Sequence, residues 1–244
     1  MKLVIDAGNT RLKWQVLSGE RVTASGACLM ERQELAESLA PILAQVRAIA
    51  ITTVIAEDRR DELSSALTEL TGLVPRFHWS EAARGGLRNS YAAPERMGAD
   101  RWHGMYGAWL RLAGSFVLVD AGSAVTVDYV TAQGVHRGGY ILPGKAMMLR
   151  GLRQDVARVG FDADELHSVA PGRATSECVH HGLWWMWQAM VQRLEREALE
   201  RNVDQIVVTG GDATDLLALG LTAIHLPDLV LEGVAAIDRE IYGL

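Results

Sequence analysis

Long apolar runs are missing from this 244-residue chain, and no stretch approaches the ~20 residues that a membrane-spanning helix needs. The opening residues, Met1-Lys2-Leu3-Val4-Ile5-Asp6, reach an acid before the core of a signal peptide could form. Both features predict a soluble, unexported, cytoplasmic protein. Cysteine is scarce: Cys28 and Cys178 stand far apart without metal-ligand spacing, so a metalloenzyme finds no support here. Positive charge is also short. With 24 Lys and Arg against 30 Asp and Glu the formal charge is −6, which leaves no electrostatic footprint for nucleic acid. The seven histidines are mostly scattered, and the adjacent His180 and His181 fall on different faces of a helix, so they are not expected to share a metal. Neither G-x-x-x-x-G-K-[ST] nor G-x-G-x-x-G occurs, which disfavours P-loop and Rossmann nucleotide sites.

What is present is the ordinary mix of a globular enzyme, 49% hydrophobic and 22% charged residues, in a length that suits two α/β domains. The hydrophobic pattern predicts strands at residues 3–6, 12–17, 21–28, 48–56 and 74–78, with helices at 31–46 and 59–70. Residues 80–98 are rich in Gly, Arg, Asn, Ser and Pro and lack periodicity, the character of a binding loop. A helix at 100–112 follows, and then the pattern starts again: strands at 116–120, 125–130 and 135–141, helices at 145–154 and 175–199, a strand at 205–209, a helix at 212–219, an edge strand at 222–225 and a closing helix at 229–242. Leu3-Val4-Ile5-Asp6-Ala7-Gly8-Asn9-Thr10 aligns with Val117-Leu118-Val119-Asp120-Ala121-Gly122-Ser123-Ala124, 114 residues later. Each copy precedes a strand–turn–strand meander, so duplication is the best explanation, with one half at residues 1–114 and the other at 115–244.

The repeated element carries the chemistry. An Asp closing a buried strand, followed by Gly, makes a hairpin whose backbone N–H groups can face a phosphate. The Asp itself would repel phosphate, so its natural partner is a cation or a metal-bound water. Thr10 adds a hydroxyl and Lys13 a positive charge. Two such hairpins in equivalent positions, facing across a pseudo-twofold, predict a clamp that closes on a nucleotide. A third element, Ile206-Val207-Val208-Thr209-Gly210-Gly211-Asp212-Ala213, runs a strand through two glycines into a helix with Asp212 at its N-cap, where an adenosine or its phosphates could lie. The three together resemble the three-part signature of the actin-like superfamily, which implies a duplicated ribonuclease H-like, actin-like ATPase fold: an α/β protein of two domains with mixed sheets. Last, Glu95-Arg96-Met97-Gly98-Ala99-Asp100-Arg101-Trp102 puts a carboxylate at a helix start, where it could accept a proton from an alcohol, beside an arginine able to pair with a substrate carboxylate. Trp184, Trp185 and Trp187 crowd one helix; domain core is the favoured reading, and a subunit interface is the sharper alternative.

At these motifs the chain resembles type III pantothenate kinase over almost its whole length. The family's Asp-x-Gly-Asn-Thr/Ser-x-x-Lys is Asp6 to Lys13, its Gly-Ala-Asp-Arg is Gly98 to Arg101, its second hairpin is Asp120 to Ala124, and its Gly-Gly-x-Ile-x-Pro-Gly turn is Gly138 to Gly144. The resemblance implies ATP-dependent phosphorylation of pantothenate to 4'-phosphopantothenate, the first step of coenzyme A biosynthesis, in a homodimer. It implies Asp100 as general base and an ATP site of Asp6, Ala7, Gly8, Asn9, Thr10, Arg11, Leu12, Lys13 and Ser123. Mg²⁺ would be held by Asp6 through water, and a monovalent cation, K⁺ or NH₄⁺, by Asp120. Tyr91, Gly98, Ala99, Asp100, Arg101 and Thr175 would bind pantothenate. Ser123 stands where the family usually has Thr but keeps the hydroxyl, and Ala174 replaces an Asn that could cap the helix opening at Thr175. Two readings compete: a kinase or phosphatase of the same superfamily acting on another small alcohol or acid, and a nucleotide-binding regulatory protein without catalysis.

Overall fold

The computed structural model describes residues 1–9, 11–155, 160–162 and 167–243. Its contacts group the chain into two units, Met1–Ala113 with Gly134–His136 and Asp228–Leu244, and Gly114–Gln133 with Arg137–Pro227.

The first unit is built on a five-stranded sheet. β1 (Lys2–Ala7), β2 (Leu12–Ser18) and β3 (Arg21–Cys28) form an antiparallel meander, and β4 (Ala48–Thr53) and β5 (Arg76–Phe77) then add parallel to β1, giving the order β3-β2-β1-β4-β5. Alternation along β1 sorts its side chains between two faces. Leu3, Ile5 and Ala7 pack with Leu35 and Leu39 of α1 (Arg32–Leu39) and with Leu63 and Leu67 of α2 (Glu57–Thr71). On the other face Val4 meets Leu231 and Val234 from the closing helix of the chain. α1 is shorter than its periodicity predicts because Pro41 has no N–H to continue the ladder; only a 3₁₀ turn, Leu43–Gln45, follows it. α2 ends as its sequence directs, at Gly72 in a left-handed conformation with its N–H on the Thr68 carbonyl at 2.8 Å.

The irregular stretch after β5 is ordered by a small hairpin, β6 (Ala83–Arg84) and β7 (Leu87–Arg88), and by a 3₁₀ turn at Pro94–Arg96. α3 (Ala99–Arg111) then lies against the sheet. The second unit repeats the plan. β8 (Phe116–Ala121), β9 (Ala124–Val130) and β10 (His136–Pro143) come first. α4 (Lys145–Asp155) and α5 (Thr175–Glu200) lead to β11 (Gln205–Thr209), and α6 (Ala213–Ala218) leads to β12 (Ile224–His225). The strand order β10-β9-β8-β11-β12 is that of the first sheet, position for position. Val117, Val119 and Ala121 face Trp187, Val191 and Leu194 of α5, as Leu3, Ile5 and Ala7 face α1 and α2. The fold is therefore the duplicated ribonuclease H-like, actin-like architecture, two domains with mixed sheets.

α7 (Leu229–Tyr242) ends the chain and belongs to the first unit, although its sequence follows the second copy. Two glycines explain the fit. A Cβ on Gly107 of α3 would overlap the Leu229 carbonyl, and one on Gly233 would overlap that of His103, so α3 and α7 touch backbone to backbone. In α5, Trp184 and Trp187 are buried in the second unit, whereas Trp185 and Met186 are exposed.

Candidate active site

Asp6 and Asp120 occupy the same place in the two sheets, the penultimate residue of the central strand, and both are half-buried. The turns after them differ by one residue. Gly8 N–H donates to the Arg11 carbonyl at 3.1 Å, whereas Gly122 N–H donates to Ala124 at 2.9 Å, so the second hairpin is tighter. Lys13 is the cross-strand partner of Asp6 and therefore presents its side chain on the same face. In the second hairpin the residue facing Asp120 is Thr126, so the lysine has no counterpart there. Gly8 is half-buried and Asn9 and Arg11 are exposed, while Leu12 turns into the core; Thr10 lies outside the described residues. Arg59 of α2 donates from Nη1 to the Asn9 carbonyl at 3.1 Å and so braces the first turn, a role its sequence position did not suggest.

Around Asp120 two further turns close in. A Cβ on Gly144 would lie 2.6 Å from the Ser123 carbonyl oxygen, and Gly144 N–H donates to that oxygen at 3.1 Å. Gly210 has φ +91°, and a Cβ there would overlap both the Ala121 carbonyl and the Asp120 carboxylate. The glycines of two separate motifs thus press on one strand end and the turn that follows it. Asp212 stands at the N-cap position of α6 as expected, but its side chain makes no capping bond; its backbone N–H instead donates to the Ala121 carbonyl at 2.8 Å. Ser123 is exposed at the tip of the hairpin.

The Gly98–Arg101 constellation opens α3 in the first unit. Asp100 Oδ1 accepts the Arg101 N–H at 2.7 Å, one of the donors that a first helical turn cannot satisfy internally. A Cβ on Gly98 would come within 2.6 Å of that oxygen, so glycine is what lets the carboxylate sit there. Ala99 is buried. Arg101 is also buried, donates from Nη1 to the Tyr91 hydroxyl at 2.7 Å, and lies 5.6 Å from the centre of the Tyr91 ring. Tyr91 is set by its own N–H on Asn89 Oδ1, 3.0 Å, and by a stacked His136 ring at 6.1 Å; Ser90 Oγ and His136 Nδ1 share a 3.0 Å hydrogen bond. Five of the expected pantothenate residues are therefore gathered in one unit. Thr175 belongs to the other unit, exposed at the start of α5, and Ala174 gives that helix no side-chain cap.

Residues 2–197 match the family described as type III pantothenate kinase. The chain belongs to that family. A type III pantothenate kinase from Marinobacter nauticus is 47% identical over 237 residues, 97% of this chain and 98% of that one. Another from Cellvibrio japonicus is 37% identical, covering 96% and 95%. Among solved structures, the activator of the 2-hydroxyisocaproyl-CoA dehydratase from Clostridium difficile with bound ADPNP superposes with a TM-score of 0.56 at 12% identity, over 98% of this chain and 94% of that one. That last likeness concerns the fold. The family match is what separates a kinase from the other proteins that share the architecture.

The residues present fit the ions that the family reading calls for. Mg²⁺ and K⁺ take hard oxygen ligands, and Asp6 and Asp120 each offer a carboxylate at a strand end beside backbone turns rich in glycine. Among the described residues no group of three His, Cys, Asp or Glu forms a metal cage, and no helix is long and apolar enough to cross a membrane.

Proposed function

We infer that this chain is an ATP-dependent pantothenate kinase that forms 4'-phosphopantothenate, the entry reaction of coenzyme A biosynthesis, and that it works in the cytoplasm as a homodimer. The observation that carries the reading is the Asp100–Arg101–Tyr91 cluster, inside a chain whose family acts on this substrate by name. Arg101 offers a guanidinium fork for the pantothenate carboxylate, with Tyr91 holding it in place. Asp100 takes the proton from the substrate's primary hydroxyl as that oxygen attacks the γ-phosphate.

The first hairpin, from Asp6 to Lys13, would hold the phosphates, its Lys13 ammonium supplying positive charge, with Ser123 contributing a hydroxyl. Asp6 would hold Mg²⁺ through water and Asp120 a K⁺ or NH₄⁺ ion, and the charge these supply would offset that of the triphosphate. Thr175 would meet pantothenate from the start of α5. Little covalent chemistry is asked of the protein; positioning and electrostatics carry the rate.

The deciding experiment is a coupled ADP-release assay with Mg-ATP and pantothenate, run in K⁺ and again in Na⁺. Turnover that requires both pantothenate and K⁺ is expected. Absence of turnover in either salt, from folded protein, would leave a nucleotide-binding regulatory role or another small alcohol or acid as substrate.

A further inference from the structure

We propose that Thr52 and His103 are positioning residues for phosphoryl transfer, holding the strand end that carries Asp6 in register with the helix that carries Asp100. The proposal rests on the roles given above to those two carboxylates. Four residues form the line. Asp6 and Thr52 are register partners of the parallel β1–β4 pair, so their side chains leave the sheet on the same face, ~4.8 Å apart in backbone. The Thr52 side chain is buried, and its Oγ1 shares a 2.7 Å hydrogen bond with His103 Nδ1. His103 lies one helical turn after Asp100, the spacing that puts two side chains on one face of a helix.

The ring is suited to a geometric role and not to carrying protons. His103 is fully buried, and burial, with His78 adding to it, drives the imidazole down to about 3 against the opposing bond to the Ala99 carbonyl; Arg84 lowers it a little further. It therefore stays neutral throughout the range in which the enzyme would be assayed. Nε2 has no hydrogen-bond partner among the described residues, so as mere filling the ring is a poor choice beside Leu or Phe. The bond at Nδ1 is what the histidine supplies.

The surrounding packing shows why one bond matters. α7 already presses on the backbone of α3 at this point, for a Cβ on Gly233 would overlap the His103 carbonyl, and Gly107, one turn on, meets Leu229 in the same way. His103 is thus held twice, by α7 at its backbone and by Thr52 of β4 at its ring. Further along β4, Thr53 Oγ1 donates to the Ala7 carbonyl at 2.9 Å, which ties the same strand to the residue after Asp6. Val54 comes next, and its Cγ1 would lie 3.7 Å from a Cβ on Gly98, at the start of α3. Strand β4 is thus the common support of both carboxylates.

The test compares Thr52→Val, His103→Leu, His103→Asn and the double variant Thr52→Val/His103→Leu in the coupled assay, with Asp100→Asn run alongside. Thr52→Val is expected to lower kcat by about 10- to 100-fold, the scale of a sub-ångström to ångström misplacement, with KM for ATP and pantothenate within about threefold. The double variant should be no worse than the poorer single one, because both remove the same bond. His103→Asn, whose amide occupies the Nδ1 position, should recover most of what His103→Leu loses. Thr52→Val is nearly isosteric, so it decides the matter even where His103→Leu fails to fold. Wild-type kcat in Thr52→Val, or a rise in KM alone, overturns the proposal while an inactive Asp100→Asn leaves the assigned base standing. A fully active Asp100→Asn would instead bring down the reading on which the proposal rests.

Discussion

Asp100 sits where a helix's first turn leaves N–H groups unpaired, and its carboxylate accepts the Arg101 N–H at 2.7 Å. An amide in its place can still accept that bond through its carbonyl but cannot take a proton from an alcohol. Asp100→Asn should therefore lower turnover by at least ~10²-fold, the usual weight of a general base, while thermal unfolding stays within a few degrees of the parent. An active variant would remove Asp100 from the mechanism. Gly210 makes the opposite kind of prediction. Its φ of +91° and its position against the Ala121 carbonyl and the Asp120 carboxylate leave no room for a methyl group. Gly210→Ala should cost ~2 kcal/mol or more in a urea melt and blunt the response to K⁺; an unchanged melt and an unchanged K⁺ response would show that the turn does not bear on Asp120. The sequence announced Asp6, Asp120 and Asp100 because each stands in a short motif whose spacing reflects local chain geometry. It did not announce Thr52, His136 or Arg59, whose partners lie 51, 46 and 50 residues away and are set by strand register and helix packing.

At the scale of elements, the periodicity of residues 229–242 is enough to write down α7 but says nothing of which sheet it covers. A buried ionic cluster supplies that information. Asp238 on α7 is fully buried and meets Lys2 Nζ at 2.6 Å, His78 Nε2 at 3.0 Å and Arg76 Nη1 at 3.5 Å. Burial alone would raise its carboxyl, but the bonds and charges of His78 and Lys2 outweigh it and bring the group down to about 2. A carboxyl at ~3.9 in the unfolded chain and about 2 in the folded one contributes roughly 2–3 kcal/mol above pH 4, and loses it as the pH falls from about 4 to about 2. Asp238→Asn leaves Lys2 buried without its counter-charge and should cost ~3 kcal/mol at pH 7. The gap between the two proteins, followed by urea denaturation from pH 7 to pH 3, should narrow below pH 4. A gap that holds constant would locate the cost in packing and not in charge. The same distinction between local and distant causes explains α1: Pro41 was visible in the sequence, yet the apolar stripe of Leu35, Leu39, Ile42 and Val46 masked the break.

Over the whole molecule, the two sheets share one strand order and bury equivalent positions of their central strands, so one scaffold stands twice in the chain and the two copies differ in what surrounds it. The first copy gained Lys13 in its hairpin and, from the end of the chain, α7 on its sheet; the second gained the Gly144 and Gly210 turns around Asp120. The second also keeps apolar side chains in water. Tyr140, Ile141 and Leu142 stand exposed on β10, an edge strand, and Trp185 and Met186 on α5 are 61% and 52% exposed. An edge strand and a helix face this apolar are costly in a lone chain, and edge strands in particular invite pairing unless they are covered. Burial against a second copy would remove both liabilities, provided the contact reaches the ~1,200 Å² or more of a stable interface. Light scattering on a sizing column is therefore expected to give twice the 26.6 kDa mass of the chain. Trp185→Ser combined with Met186→Ser should shift that mass toward the monomer at micromolar concentration without unfolding the second unit, since Trp184 and Trp187, which are buried there, are untouched. A parent protein that elutes at 26.6 kDa would rule out the dimer, and a double variant that stays dimeric would move the interface off this helix.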